Sequence, residues 1–208
     1  MKNNMYLYES RYLVKGFKTI AGLDEVGRGA WAGPVVVAAV VLPPGYRNDK
    51  INDSKKLSAA MREKLFHEII KNAITYSINW VFPKDVDKMN PKKATIYAME
   101  QAVNDLSVKP DYLLIDFEKI NTDIQSLSIT KGDEKSISIA AASIVAKHAR
   151  DEYMKKMDKK YPSYGFDKHK GYGTVAHLKA IKKYGLIPNF HRLSYKLPIN
   201  ANSGKQRN

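Results

Sequence analysis

Residues 19–42 read TIAGLDEVGRGAWAGPVVVAAVVL. The run opens as a short apolar strand over 19–23, which Asp24 and Glu25 close. Gly27-Arg28-Gly29 follows, and a second strand is predicted over 34–42. That second run is so dense in Val and Ala that both its faces are expected to be buried. The glycines superficially match a dinucleotide-binding loop. Gly33, however, comes one place late for that fingerprint, and a strand rather than a helix follows, so the reading is rejected. What remains is a turn whose backbone can approach another group closely, with a cation, Arg28, at its tip.

Working outward, Pro43-Pro44-Gly45 ends the second strand. A helix is predicted over 58–73, with Ser58 as its cap and Met61, Leu65, Phe66 and Ile69 as its apolar stripe. Residues 74–82 alternate as a strand. Asn90-Pro91 reads as a cap followed by proline at the first helical position, and Ile96, Met99, Val103 and Leu106 recur at helical spacing. Short strands are predicted over 111–116 and 125–130. A long helix then runs from about residue 135 to beyond 153, with Ile137, Ala141 and Ile144 on its buried side. Residues 161–173 are a loop by composition, rich in Tyr, Gly, Lys and His. Thr174 caps a further helix that stops at Gly185, and 201–208 is a polar stretch expected to be disordered. Strands first, then strands mixed with helices, then a helical end make an α/β core with a small helical C-terminal part.

Composition bounds the chemistry. The 208 residues suffice for a full hydrophobic core. At 44% hydrophobic and 27% charged the chain is globular rather than disordered. The net charge of +14 points to a polyanionic partner. Residues 147–208 carry 15 basic and 4 acidic residues, so most of the surplus sits there and a phosphate-facing surface is favoured over a merely solvated one. Cysteine is absent, which excludes disulfides and thiolate zinc sites and fits a reducing compartment. No stretch reads as an export signal or a membrane span; a cytoplasmic protein that engages no membrane is expected.

Asp24-Glu25 at the end of a buried strand costs desolvation energy unless something offsets it. A divalent cation would. Carboxylate oxygens without thiols or a spaced His pair favour Mg²⁺ or Mn²⁺. Neighbours in a regular strand point to opposite faces, so both acids can serve one site only where the strand ends or bends. Alone, the pair is more often a polar strand end than a metal site. Asp116 ends a strand and is ordinarily a turn residue. Asp133 precedes the long helix, where an acid ordinarily favours the helix dipole. Taken together, acids at several element ends in a strongly basic chain fit two cations clamping a phosphodiester, with Lys and Arg holding the flanking phosphates. Lys147 and Arg150 fall on the long helix, where a solvated face is the common outcome. Tyr164, Phe166 and Tyr172, interleaved with Lys168, His169 and Lys170, suit either stacking on nucleic acid or loop packing. The five histidines are scattered, and none is assigned to a metal.

These residues also form signatures. Asp24-Glu25-Val26-Gly27-Arg28-Gly29 resembles the opening motif of ribonuclease HII, the bacterial type 2 ribonuclease H. Asn52-Asp53-Ser54-Lys55-Lys56-Leu57-Ser58 resembles the second signature. Lys131-Gly132-Asp133, the run IAAASIVAK at 139–147 and Arg150-Asp151 resemble the third. His169-Lys170-Gly171-Tyr172-Gly173-Thr174 and His191-Arg192 resemble those near the C-terminus. The match spans residues 19–195. It implies an RNase H-like α/β fold: a five-stranded mixed sheet flanked by helices, with a small helical C-terminal extension. The expected organisation is a catalytic core over 1–160, a substrate-binding extension over 161–198 and a tail over 199–208.

The implied activity is endonucleolytic cleavage of the RNA strand of RNA–DNA hybrids. Cutting 5′ of single ribonucleotides in duplex DNA is implied as well, leaving 3′-hydroxyl and 5′-phosphate ends. Such duplexes would be the partners of a monomeric protein. By motif, Asp24, Glu25, Asp116 and Asp133 would be catalytic and would hold two Mn²⁺ or Mg²⁺ ions. The backbone of Gly27, Arg28 and Gly29 would read the 2′-hydroxyl, and Tyr172 would stack on the sugar at the RNA–DNA junction. Lys55, Ser143 and Lys147 would contact phosphates or support the acids. One departure is Phe117, where the family usually has glycine; a Phe does not relax readily into a positive-φ turn. Two other readings are a basic nucleic-acid-binding protein without catalysis, and a nuclease of the same fold acting on DNA that lacks ribonucleotides.

Overall fold

Five strands form one sheet in the computed structural model, which describes residues 4–198; the tail expected over 199–208 lies outside the described residues. The strands are β1 (Ile20–Val26), β2 (Val35–Val41), β3 (Thr75–Val81), β4 (Tyr112–Asp116) and β5 (Ser126–Ile129), and their order is β3-β2-β1-β4-β5. β1, β2 and β3 pair antiparallel as a meander, whereas β1–β4 and β4–β5 are parallel. A parallel neighbour requires a crossover. The chain makes the one from β3 to β4 through α3 (Pro83–Met89) and α4 (Pro91–Asn104). This is the mixed, helix-flanked sheet that the signatures imply.

The Val/Ala run of β2 is buried on both faces, as its composition predicts. Val35, Val37, Ala39 and Val41 pack with Ala94, Ala98, Met99 and Ala102 of α4. Val36, Ala38 and Val40 face Leu65 and Ile69 of α2 (Ala59–Asn72) together with Ala141, Ile144 and Val145 of α5 (Ile137–Lys160). α2 starts where its sequence says it should, with the Ser58 hydroxyl accepting from the Met61 N–H. α4 likewise has the Asn90 side chain accepting from Lys93 N–H, with Pro91 opening the helix.

α5 enters the core almost without polar surface, every residue from Ile137 to Ala146 being buried. Its small residues let it lie close against β1: a Cβ on Gly22 would stand 2.0 Å from the Ser138 carbonyl carbon. The N–H groups at its start are satisfied by the Ser136 hydroxyl and by Glu9, whose Oε1 accepts from Ser136 Oγ and Ser138 N–H. Glu9 belongs to α1 (Leu7–Val14).

Two helices have no counterpart in the sequence reading. In α3 only Val86 and the opening Pro83 are buried, so seven residues give no apolar period. In α1 only Tyr12 is buried, and the helix is fixed by contacts with Tyr112 and with the start of α5, far away in sequence.

Residues 161–173, read as a loop, contain a 3-10 turn (Pro162–Tyr164) and α6 (Phe166–His169). α7 (Val175–Tyr184) follows, capped by Thr174 and ended at Gly185 with φ +82°, as its sequence predicts. Tyr164 and Phe166 are buried beside Ala32, Met154, Ile187 and Phe190. Packing, not stacking on a ligand, is therefore their role. Among the described residues no helix is long and apolar enough to cross a membrane.

The β1–α5 contact supplies a test. Gly22→Ala would push a methyl into backbone that cannot rotate away, so it should destabilise the protein by about 3 kcal/mol or more. The urea midpoint of the variant checks this.

Candidate active site

β1 pairs with β4 only as far as Leu23↔Ile115 but stays paired with β2 to Val26↔Val36. Asp24 and Glu25 thus lie inside the strand rather than after it, along a stretch whose β4 side is open. There the Glu25 N–H has no strand neighbour and donates to Asp24 Oδ1 at 2.7 Å. Parity puts Asp24 and Asp116 on the α5 face, like Gly22 and Leu114. Glu25 should point away, but at the open edge its longer side chain comes round. One carboxylate oxygen from each of Asp24, Glu25 and Asp116 lies within 4.8 Å of the others. The bend that two neighbouring acids need is therefore a loss of pairing on one side only.

Asp116 is fixed by the Gly132 N–H, which donates to its Oδ1 at 2.7 Å. That bond docks the 3-10 turn Gly132–Glu134 against β4 and brings in Asp133, buried and 3.4 Å from the Lys55 ammonium. Asp133 stands outside the three-acid cluster, yet its charge acts on both Asp24 and Asp116.

Crowding acids in a buried place has a measurable cost. Two ionised carboxylates at such a separation repel by about 3 kcal/mol at an effective dielectric constant of about 20. Burial, reinforced by the charges of Glu25 and Asp116, pushes Asp24 well above the usual carboxylate range. Burial and the charge of Asp116 push Glu25 up to about 7, and burial raises Asp116. A divalent cation removes this penalty. The donors are all carboxylate oxygens, which fits Mg²⁺ or Mn²⁺.

Asp24 and Glu25 open on a cleft of about 360 Å³, lined also by Lys55, Ser143, Lys147 and Tyr172. Every residue there that the signatures single out beside the acids meets them in one place. The Ser143 hydroxyl lies 2.9 Å from that of Ser54 and near enough to Asp24 to favour its ionised form. The Lys147 ammonium is 2.7 Å from Asp151, and burial lowers its pKa. The solvated face read for Lys147 and Arg150 is thus absent, and Arg150 has no solvent exposure at all.

Gly27 and Gly29 are present for different reasons. Gly27 has φ +86°, and a Cβ on it would stand 2.2 Å from Arg150 Nε; a Cβ on Gly29 would meet nothing within 4 Å. The bare backbone at Gly29 is open to close approach. Arg28 is not a free cation: it is 2.6 Å from Glu118, which is only 4% exposed, and 3.9 Å from Glu25.

Three residues that matter here carried no usable signal. Glu118 is one. Arg150 donates to the carbonyls of Pro34 and Ala32, and Arg192 to those of Gly33 and Arg28. Arg150 and Arg192 stand in the signatures, but nothing near them in sequence reveals that each grips the turn between β1 and β2. Phe117 does adopt the left-handed conformation, at φ +58°, with its N–H held by the Ile129 carbonyl and its ring 62% exposed. The turn that glycine would make is therefore formed by Phe, under strain.

Known proteins resemble this chain in sequence and in fold. The family model described as Ribonuclease HII matches residues 21–198. A Ribonuclease HII from Acetivibrio thermocellus is 52% identical over 192 residues, 92% of this chain and 75% of that one. Another from Bacillus cereus is 52% identical over 191 residues, 92% of this chain and 74% of that one. Among solved structures, the ribonuclease H2 of Pyrococcus horikoshii superposes with a TM-score of 0.74 at 27% identity, covering 86% of this chain and 94% of that one. A Bst-RNase HIII in complex with Mn²⁺ shares the fold at a TM-score of 0.64 and 17% identity, covering 86% of this chain and 67% of that one.

Two predictions follow from the electrostatics and the strained turn. The unfolded chain ionises Glu25 near its ordinary value of 4.5, whereas the folded pocket keeps the proton to about 7. Between those values the folded metal-free protein binds more protons than the unfolded chain, so this contribution to stability falls as pH rises. In a chelator, Glu25→Gln should raise Tm, and the gain over wild type should grow from pH 5 to 8. Phe117→Gly relieves the left-handed strain at a smaller entropic cost. It should stabilise by about 0.5–1 kcal/mol, read from the urea midpoint.

Proposed function

The chain belongs to the ribonuclease HII family and is a divalent-metal-dependent ribonuclease H, an endonuclease acting on RNA–DNA substrates; from that premise we propose that it also cuts 5′ of single ribonucleotides embedded in duplex DNA, leaving 3′-hydroxyl and 5′-phosphate ends. The observation that supports this most is the cluster of Asp24, Glu25 and Asp116 beside a cleft that also holds Tyr172 and two lysines. Asp24, Glu25 and Asp116 are the residues proposed to hold Mg²⁺ or Mn²⁺, with Asp133 the fourth acid. A pair of such ions would supply positive charge against the attacking water and the leaving 3′-oxygen.

The chain's own groups would do the rest. The backbone about Gly29, with open space before it, suits a group that must come within hydrogen-bond distance. Reading a 2′-hydroxyl is such a task, because that hydroxyl is what separates RNA from DNA. Tyr172, half-buried on the cleft, would stack on the sugar at the junction. The Lys55 side chain, paired with Asp133 but 79% exposed, would reach a phosphate by leaving that pair. Ser143 would favour the ionised form of Asp24, and Lys147 would supply charge at the cleft wall. Residues 161–198 would serve as the substrate-binding extension, and their surplus of basic residues suits a duplex backbone.

A duplex carrying one ribonucleotide tests the proposal. Wild type with Mn²⁺ or Mg²⁺ should cut it 5′ of the ribonucleotide and leave an all-DNA duplex intact. Asp24→Asn and Asp116→Asn should each lose several kcal/mol of transition-state stabilisation, about a thousandfold in rate. Undiminished cutting by both variants would remove the carboxylate mechanism. Equal cutting of the all-DNA duplex would replace ribonucleotide recognition with a general DNase activity.

A further inference from the structure

His177 and His191, which the activity so far leaves unused, are joined behind Tyr172 by a directional chain of hydrogen bonds. The Ile187 N–H donates to His191 Nδ1 at 2.8 Å. An amide can only donate, so Nδ1 of His191 is an acceptor and its proton is on Nε2. That Nε2 lies 3.1 Å from His177 Nε2, which must then accept. The proton of His177 is left on Nδ1, 3.0 Å from the Tyr172 carbonyl oxygen. One backbone N–H thereby fixes two tautomers in series and ends as a donor to the residue on the cleft.

The surroundings keep both rings neutral. His177 and His191 have essentially no exposure, and burial pulls both down to about 4. His169 stacks on His177 with centroids 4.4 Å apart. Its Nδ1 accepts from Gly171 N–H and its Nε2 faces the Tyr164 carbonyl, so it too is neutral and orders the same loop. Tyr172 itself sits between two glycines pressed onto the β1–β2 turn. A Cβ on Gly171 would stand 2.3 Å from the Ala32 oxygen, and one on Gly173 would stand 2.3 Å from the Trp31 ring. The Arg150 guanidinium lies 5.4 Å from the Tyr172 ring centroid.

We propose that His177, held in its Nδ1–H tautomer by His191, is a positioning residue that fixes the Tyr172 backbone and so aims the Tyr172 ring at the substrate. This rests on the reading of Tyr172 as the group that stacks on the substrate sugar. His177 touches no reacting atom; its effect belongs in substrate affinity rather than in the chemical step.

Asparagine and glutamine separate this from simple packing. The Asn amide nitrogen falls near the place of Nδ1 and can still donate to the Tyr172 carbonyl, whereas the Gln amide reaches toward His191 and cannot. Both His177→Asn and His177→Gln should lower Tm. On a duplex with one ribonucleotide, His177→Gln should raise KM about tenfold, the scale of one lost stacking contact, with kcat within about twofold of wild type. His177→Asn should keep KM within about twofold. Tyr172→Ala should raise KM by about as much as His177→Gln, and the double variant should be no worse than Tyr172→Ala alone. Equal KM values for the Asn and Gln variants, or a further rise in the double variant, would overturn the proposal. An unchanged KM for Tyr172→Ala would instead overturn the stacking role on which it rests. Imidazole ¹⁵N NMR of the unaltered protein at pH 7 is independent of how the variants fold. It should show His177 protonated on Nδ1 and His191 on Nε2; His177 found as the Nε2–H form or as a cation would also overturn the proposal.

Discussion

Two guanidinium groups with no access to solvent hold the turn between β1 and β2. Arg150 reaches it from α5 and takes the carbonyls of Ala32 and Pro34; Arg192 reaches it from beyond α7 and takes those of Arg28 and Gly33. A buried charge without a counter-ion is expensive unless oriented dipoles surround it. Here the dipoles are the carbonyls of that turn, so the two arginines and the turn depend on each other. The same arrangement fixes the C-terminal extension to the core. The Trp31 and Ala32 N–H groups donate to the Gly171 carbonyl, and the Gly33 N–H donates to that of Phe190. What holds the Tyr172 loop against the glycine turn is therefore a set of backbone bonds around two buried cations.

The acids pose the opposite problem. They collect where the β1–β4 ladder stops, and there burial and mutual repulsion favour their protonated forms. Without a cation the pocket is a weak point in the fold, and a divalent cation bound there would make it an anchor. This is the usual relation between a strained site and the scaffold that carries it. The scaffold is rigid where it must be: Gly22 lets α5 lie against β1, and α5 carries Ser143 and Lys147 to the cleft.

Much of the fold was legible because its signals are local. The β2 run, the Ser58, Asn90 and Thr174 caps and the Gly185 stop each act within a few residues, and each stands where it was read. α1 and α3 were not legible, since each buries too few residues to show a period and is fixed by distant partners. Of the site, Asp24, Glu25 and Asp116 were legible as candidates, and Lys55, Ser143, Lys147 and Tyr172 through the signatures. Glu118 was not, because its partner Arg28 lies 90 positions away. Composition left Tyr164 and Phe166 undecided, because an aromatic beside lysines reads alike whether its ring meets a ligand or a core.

The sequence alone marked which acids lie toward strand ends, where α2, α4 and α7 start, and a positive charge that points to a polyanion. Those properties reside in residue identity and short spacing. Tertiary structure alone decided that Asp24 and Glu25 share a site, because whether two neighbouring acids diverge or converge depends on where a different strand, β4, stops pairing. It likewise decided that Arg150 is buried rather than solvated, and that three scattered histidines close up behind one tyrosine. In each case the deciding partner is far along the chain, and its contribution exists only once packing has brought it near.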